Sequence, residues 1–201
     1  MSQHLMTLFA VKMIGLFRNI GLAFMKGDNK MQRIATVDLR DDVLGYETKK
    51  NCHSVPLLHR AFSVFLVHDG KMMIQQRAIE KYHSGGLWTN SCCSHMREGE
   101  DMSSSISLRL EEELGINCEC WELFSFVYYH RFAEDLYEYE IDHVYIGDFD
   151  GEIQLNPEEA MDMQWISYDE LEEDVLKHPQ KYTVWFITAL PRVLKILRET
   201  T

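Results

Sequence analysis

Three histidines, two alternating carboxylates and a pair of adjacent cysteines are the residues of this chain whose types and spacing could do chemistry. His53 and His59 lie six residues apart ahead of a strongly apolar run, and His95 follows Cys92-Cys93-Ser94. Glu138 and Glu140 alternate in a segment rich in aromatic and branched residues. In a strand, that alternation points both carboxylates to one face, about 7 Å apart along the chain. Three imidazoles and two carboxylates meeting at one divalent ion would form an N/O donor set suited to Mn2+, Zn2+ or Mg2+. Spacing alone leaves this open, because scattered histidines and an E-x-E pair are also ordinary surface groups. The run Gly86-Leu87-Trp88-Thr89-Asn90-Ser91-Cys92-Cys93-Ser94-His95 puts a thiol beside a ligand-type histidine and close to a tryptophan. That is an acid/base arrangement, although two cysteines in a strand can equally be two small buried apolar side chains.

A second pattern sits on a helix. Leu110-Glu111-Glu112-Glu113-Leu114-Gly115-Ile116 ends in E-E-x-G-apolar, the close of a Nudix box, and Glu100 falls where that box has its first glutamate. Carboxylates one helical turn apart can present oxygens to Mg2+ bridging a diphosphate, and an acidic solvent face has the same appearance. The box is altered: Leu108-Arg109 stands in place of Arg-Glu, and Ser94 in place of Gly. The missing glutamate is one that a pyrophosphohydrolase would use. Arg109 is better suited to gripping a phosphate than to activating water.

The elements that must position these groups are legible in outline. Runs of branched and aromatic residues bounded by turn signals predict strands over 34–38, 61–67, 71–77, 122–129, 137–146 and 161–166. The turn His68-Asp69-Gly70 pairs the second with the third. Ile106, Leu110 and Leu114 recur every four residues and predict a helix over 106–114. Gly115 stands at its C′ position, and Asp101 and the serines at 103–105 are N-cap candidates. Ser167-Tyr168-Asp169-Glu170 has capping-box spacing and opens a short acidic helix. A helix over 182–198 closes the chain, with a kink or break expected at Pro191. This is one α+β domain over 31–201.

Residues 1–30 form an N-terminal extension. Lys12 and Arg18 interrupt its apolar run, which argues against both a membrane span and a secretory signal. It reads as an amphipathic helix on a surface or partner, or as a start-site artefact with translation beginning at Met25 or Met31. The 201 residues carry a net charge of −12, which argues against non-specific binding to nucleic acid or to an anionic membrane surface, and no obligatory membrane is expected. A polyanionic substrate would need a local basic pocket and help from a cation. Five cysteines in no regular framework indicate reduced thiols and a cytoplasmic location.

From about Met31 to the last helix, the chain resembles the type I isopentenyl-diphosphate isomerases of the Nudix superfamily. The resemblance is carried by W-T-N-S-C-C-S-H at 88–95, L-H-R-A-F at 58–62 and E-Y-E at 138–140, on the altered Nudix helix. It implies a Nudix-type mixed β-sheet sandwiched by helices. It also implies a 1,3-allylic proton shift interconverting isopentenyl and dimethylallyl diphosphate in isoprenoid biosynthesis. Carried over by position, Cys93 would be the catalytic thiol, with Cys92 its structural neighbour. Glu140 would be the catalytic carboxylate and a metal ligand, with His53, His59, His95 and Glu138 the other ligands of a divalent ion (Mn2+, Zn2+ or Mg2+). Glu113 would serve a second, diphosphate-bridging Mg2+. Lys49, Arg77, Lys81 and Arg109 match phosphate-gripping cations. Trp185, with Trp88, matches the wall over the reacting carbons, and Tyr129 (or Tyr128) a tyrosine near Glu140. A monomer acting on a small-molecule substrate is expected.

The chain departs from the family pattern in three places. Met96-Arg97 follows His95 where the family has a proline, Ser84-Gly85-Gly86 replaces an aromatic-Pro-Gly, and the His53–His59 segment is short. Two rival readings are a Nudix pyrophosphohydrolase of nucleotide derivatives and a binding module on a decayed Nudix scaffold.

Overall fold

The strand β3 (His59–His68) organises the sheet, because four other strands pair with it. The structure is a computed structural model that describes residues 32–200. The expectations for residues 1–30 lie outside the described residues. On one side β3 runs parallel to β8 (Leu136–Asp148), in register from His59↔Glu140 to Val67↔Asp148. On its other side it pairs antiparallel with β1 (Arg33–Val37), β6 (Cys92–His95) and the start of β4 (Lys71–Arg77). β2 (Val43–Thr48) pairs with β1, and β7 (Trp121–Ala133) with β8. β5 (Trp88–Thr89) and β9 (Ala160–Ser167) pair with β4.

Two-residue alternation gives the sheet two buried faces. Phe62, Val64 and Leu66 of β3 join Met73, Cys92 and the helix α2 (Met102–Leu114) through Ile106, Leu110 and Leu114. Phe65, facing the other way, joins Met72, Ile74, Phe124 and Val144. That second face is covered by α3 (Tyr168–Lys177) and α4 (Val184–Thr200) through Leu171, Trp185, Phe186, Leu190 and Val193. The result is an α+β mixed sheet between helices, as the sequence implies. No helix among the described residues is long and apolar enough to cross a membrane.

Local chemistry explains where the elements differ from expectation. α2 starts four residues earlier than its apolar repeat, because Asp101 Oδ1 accepts from Ser104 N at 2.7 Å and caps it there. It ends at Gly115 with φ 66°, the left-handed C-terminal position. β7 and β8 extend beyond 122–129 and 137–146 because Tyr129 packs across the hairpin on Tyr137 and Tyr139. A short helix, α1 (Lys49–Ser54), was not expected, since six residues are too few to show a period. Thr48 caps it, its Oγ1 accepting from Asn51 N at 3.2 Å.

The break expected at Pro191 is absent: α4 runs unbroken from Val184 to Thr200. Proline removes one helical N–H and crowds the preceding turn. Here the buried side chains on either side, Leu190, Val193 and Leu194, hold the helix to the core and outweigh that local cost.

The loop after β4 folds tightly back on itself. Arg77 N donates to Leu87 O at 2.9 Å, and Gly86 N to Arg77 O at 3.0 Å. A Cβ at Gly85 would stand 2.3 Å from the Ile79 carbonyl oxygen, a backbone atom that cannot step aside cheaply. Gly85→Ala should therefore destabilise the protein by about 1–3 kcal/mol, the usual cost of overpacking. A urea-unfolding midpoint checks this, and an unchanged midpoint contradicts it.

Candidate active site

The site occupies the polar half of the sheet face that α4 covers. Along β8 that face carries Glu138, Glu140 and Asp142 before it becomes apolar at Val144. On β3 it carries His59, Ala61 and Ser63 before Phe65. Register lines up the neighbours: Glu140 stands beside His59 on β3 and Tyr128 on β7, while Ser63 faces Cys93 and Ala61 faces His95 on β6. The adjacent cysteines thus point to opposite faces. Cys92 is buried in the apolar cluster under α2, and Cys93 packs on the cluster that contains Trp185.

α1 brings in His53. The ligand atoms of His53, His59, His95 and Glu140, all buried, lie within 4.8 Å of one another, and so do those of His53, His83 and Glu138. His53 Nδ1 lies 2.9 Å from Tyr137 O, and His59 Nδ1 2.7 Å from Leu57 O. A carbonyl can only accept, so each Nδ1 carries the hydrogen, and in a neutral ring Nε2 is left with its lone pair. Yet His59 Nε2 stands 3.2 Å from Glu140 Oε1, an acceptor facing an acceptor. His95 Nε2 is 2.9 Å from that same oxygen, and its buried Nδ1 has no partner among the described residues.

Such a contact is relieved by a proton or by a metal cation. At the neighbouring rings protons are disfavoured: burial, then His95 and His59, hold His53 down to about 2. Burial, then Lys49, holds His95 down to about 3. Backbone-oriented imidazoles with free Nε2 lone pairs, converging on a carboxylate, fit a divalent cation instead.

Tyr128, not Tyr129, is the tyrosine of the site. Its hydroxyl is 2.7 Å from Glu138 Oε2 and 2.6 Å from Glu140 Oε2. Tyr129 points to the other face of the hairpin and is 54% exposed. Of the two tyrosines named from the sequence, strand alternation brings Tyr128 to the carboxylates and turns Tyr129 away from them.

Beyond Cys93 the site turns cationic. Arg77 Nη1 lies 3.9 Å from Cys93 Sγ, and its guanidinium sits 5.2 Å from the Trp185 ring. Burial pushes the Cys93 thiol up to about 12 against the pull of Arg77, so it is protonated at neutral pH. Trp185 is pinned by its Nε1 donating to Asn90 Oδ1 at 3.2 Å. Trp88 packs, half-buried, against the core cluster that includes Trp185.

Arg109 donates to Glu112 at 2.5 Å and Glu113 at 2.6 Å, and pairs with Glu159 at 3.2 Å. Lys81 also pairs with Glu159, so it joins this group only through that carboxylate. Lys49, at the start of α1, stands 5.4 Å from the Tyr82 ring. Burial and then the charge of Arg109 lower its pKa, with Glu140, Arg77 and Cys93 also in electrostatic reach. The Nε atoms of Arg77 and Arg109 are buried without an acceptor among the described residues, as an anion-binding pocket requires. Glu113 stands apart from the histidine cluster, its oxygens taken by Arg109 and by Gln75 Nε2 at 3.0 Å.

Two residues escaped the sequence reading. Asp142 continues the E-x-E alternation by one step, a signal that was there to be used. Burial and then Glu140 raise its carboxyl well above the usual range. Ser63 Oγ donates to its Oδ2 at 2.8 Å, and Oδ1 has no partner among the described residues. His83, buried in the tight loop, has its Nε2 3.0 Å from Glu138 Oε1. Nothing but its residue type could have marked it.

The NUDIX domain family matches residues 57–186 of the chain. A Serratia proteamaculans protein named isopentenyl-diphosphate Delta-isomerase is 43% identical over 160 residues, covering 79% of this chain and 89% of its own. An Aromatoleum aromaticum protein named isopentenyl-diphosphate Delta-isomerase 2 is 44% identical over 163 residues, covering 81% and 86%. In solved structures, the fold is similar to a MutT NUDIX hydrolase from Burkholderia pseudomallei (TM-score 0.56, 22% identity, covering 68% of this chain and 98% of that one). It is also similar to a MutT protein from Methanosarcina mazei Go1 (TM-score 0.57, 13% identity, covering 72% and 96%).

The depressed histidines make stability depend on pH. Below the unfolded value of 6.5, unfolded His53 and His95 bind protons that their folded forms refuse, so stability falls as pH falls. The raised carboxyl of Asp142 acts in the opposite direction, one group against two. Chelator-treated protein should therefore be less stable at pH 5 than at pH 6, by on the order of 1 kcal/mol. Urea unfolding at the two pH values measures this, and equal or higher stability at pH 5 contradicts it.

Proposed function

The chain belongs to the NUDIX domain family and, within it, to the isopentenyl-diphosphate Delta-isomerases, and from that premise we propose how its residues shift the double bond between isopentenyl and dimethylallyl diphosphate. It is an isomerase, and its substrate is a small-molecule diphosphate. The observation that carries the residue assignment is that Cys93 and Glu140 project from β6 and β8, on opposite sides of β3, onto one sheet face.

An unactivated alkene is a weak base, and its protonation gives a tertiary carbocation. The site must hold an acid at one end of the allylic unit and a base at the other. Cys93, a buried thiol, and Glu140, with the Tyr128 hydroxyl 2.6 Å away, take these opposed roles. His53, His59, His95, Glu138 and Glu140 would hold a divalent cation, which would supply fixed positive charge and so tune the proton affinity of Glu140. Manganese, zinc and magnesium all suit that donor set. The face of Trp185 stabilises the cation, worth about 2 kcal/mol or more when desolvated.

Lys49, Arg77 and Arg109 would grip the diphosphate, Glu113 would help hold a Mg2+ that supplies further positive charge there, and Lys81 would support them through Glu159. That contact supplies binding energy remote from the reacting carbons. The five free cysteines support a cytoplasmic location, and a monomer completes the proposal.

Purified protein incubated with isopentenyl diphosphate and Mg2+, with and without Mn2+, should form the acid-labile dimethylallyl isomer, and EDTA should abolish this. Cys93→Ala and Glu140→Gln should each lower turnover by about 10²–10⁴-fold, the usual worth of a general acid or base. Cys92→Ala should stay within about tenfold of the parent, because that thiol only fills the core. Near-normal turnover in either of the first two variants removes that residue's role. Phosphate release from nucleoside diphosphate derivatives without isomerisation would establish the hydrolase reading instead.

A further inference from the structure

We propose that Glu159 is a positioning residue for the diphosphate grip, joining Lys81 to Arg109 and holding both in place. The inference rests on reading those cations as part of the grip. Each oxygen of the Glu159 carboxylate meets a cation from a different element. Oε1 stands 3.2 Å from Arg109 Nη2, on α2, and Oε2 accepts from Lys81 Nζ, in the loop after β4. The side chains of all three are largely withdrawn from water. Two cations brought together there repel each other, and the carboxylate between them offsets that repulsion. Against burial, the charges of Arg109 and then Lys81 hold the Glu159 carboxyl below its ordinary value.

The backbone around Glu159 is stitched to both elements that carry the cations. Asn156 N donates to Glu113 O at 2.9 Å, and its Nδ2 to Glu112 O at 3.2 Å, which ties the turn to the end of α2. Glu159 N donates to Asn156 O at 2.9 Å, and Ala78 N donates to Glu159 O at 3.0 Å, which ties it to the end of β4. The turn thus gives Glu159 a fixed place, and Glu159 fixes two long, flexible side chains. Both keep donors for an anion. An ammonium has three hydrogens, so Lys81 has two left after serving Glu159. Glu112 and Glu113 take Nη1 and Nη2 of Arg109, and its Nε–H has no acceptor among the described residues. Without Glu159, Lys81 relaxes into water and has to be ordered again when the diphosphate binds. Deleting Glu159 also deletes a negative charge, which alone favours an anion. The lost order outweighs that single repulsion, which solvent screens.

The test is calorimetric titration of the full chain with inorganic pyrophosphate in Mg2+, beside steady-state kinetics with isopentenyl diphosphate. Pyrophosphate probes the grip without the reacting carbons. In Glu159→Ala the pyrophosphate Kd and the KM should both rise about tenfold, the scale of ordering long side chains on binding. The kcat should change far less, because only uniform binding is lost. Glu159→Gln, which keeps the shape and an acceptor for Lys81, should fall between the parent and Glu159→Ala. Lys81→Met should also weaken binding, and the double variant should bind no more weakly than the worse single one, since the two act as a unit. A Kd at or below the parent's in both Glu159 variants overturns the inference. So do Lys81→Met and Glu159→Ala effects that multiply in the double variant. A parent that takes no pyrophosphate, or whose affinity neither Lys81→Met nor Arg109→Gln changes, overturns the grip reading itself, and this inference with it.

Discussion

The parallel register that sets His59 beside Glu140 is the constraint on which the site depends. β6 lies along the other edge of β3, so the same register fixes where Cys93 and His95 stand relative to Glu140. β7 follows through Tyr128↔Glu140. A one-residue slip of β8 would turn Glu138, Glu140 and Asp142 to the α2 face and bring their apolar neighbours into the site. The apolar ends of the strands guard against that slip. Phe65 and Val144 share the core under α4, while Val64 and Leu66 are committed to α2. Hydrophobic burial therefore specifies where the polar groups go.

Those polar groups are costly to bury. Histidines that cannot take protons, a carboxyl raised by its neighbours and a hydroxyl shared between two carboxylates all oppose folding. A cation among the Nε2 lone pairs and carboxylate oxygens would convert much of that cost into binding. The acidity of the chain is met locally too: Lys49 lies within electrostatic reach of Arg77, Arg109 and Cys93, so a net charge of −12 coexists with a local group of cations.

Part of this was legible in the sequence. Residue types and spacing left the site open; the resemblance carried by the WTNSCCSH and E-Y-E segments singled out the thiol and the carboxylates, and strand periodicity placed the two glutamates on one face. Period two also contained the choice between Tyr128 and Tyr129, once Glu140 was known to lie beside β7. What stayed hidden depends on contacts between distant segments. His83 reaches Glu138 through a loop without period, and α1 is too short to announce itself. Pro191 stays helical because the packing of Leu190, Val193 and Leu194 overrides a local rule. The orphaned Asp142 Oδ1 and His95 Nδ1 appear only when partners are counted in three dimensions.

The central claim is that the folded cluster is deficient in positive charge and that a divalent cation completes it. The most direct test is the thermal midpoint of chelator-stripped protein against added Mn2+, in the absence of substrate. At a free concentration of about 100 times Kd, binding to the folded state alone contributes about 2.7 kcal/mol. For a chain of this size that raises the midpoint by roughly 5–10 °C. The account predicts this rise, and predicts that it vanishes in His59→Ala. A midpoint indifferent to Mn2+, Zn2+ and Mg2+ alike would contradict it.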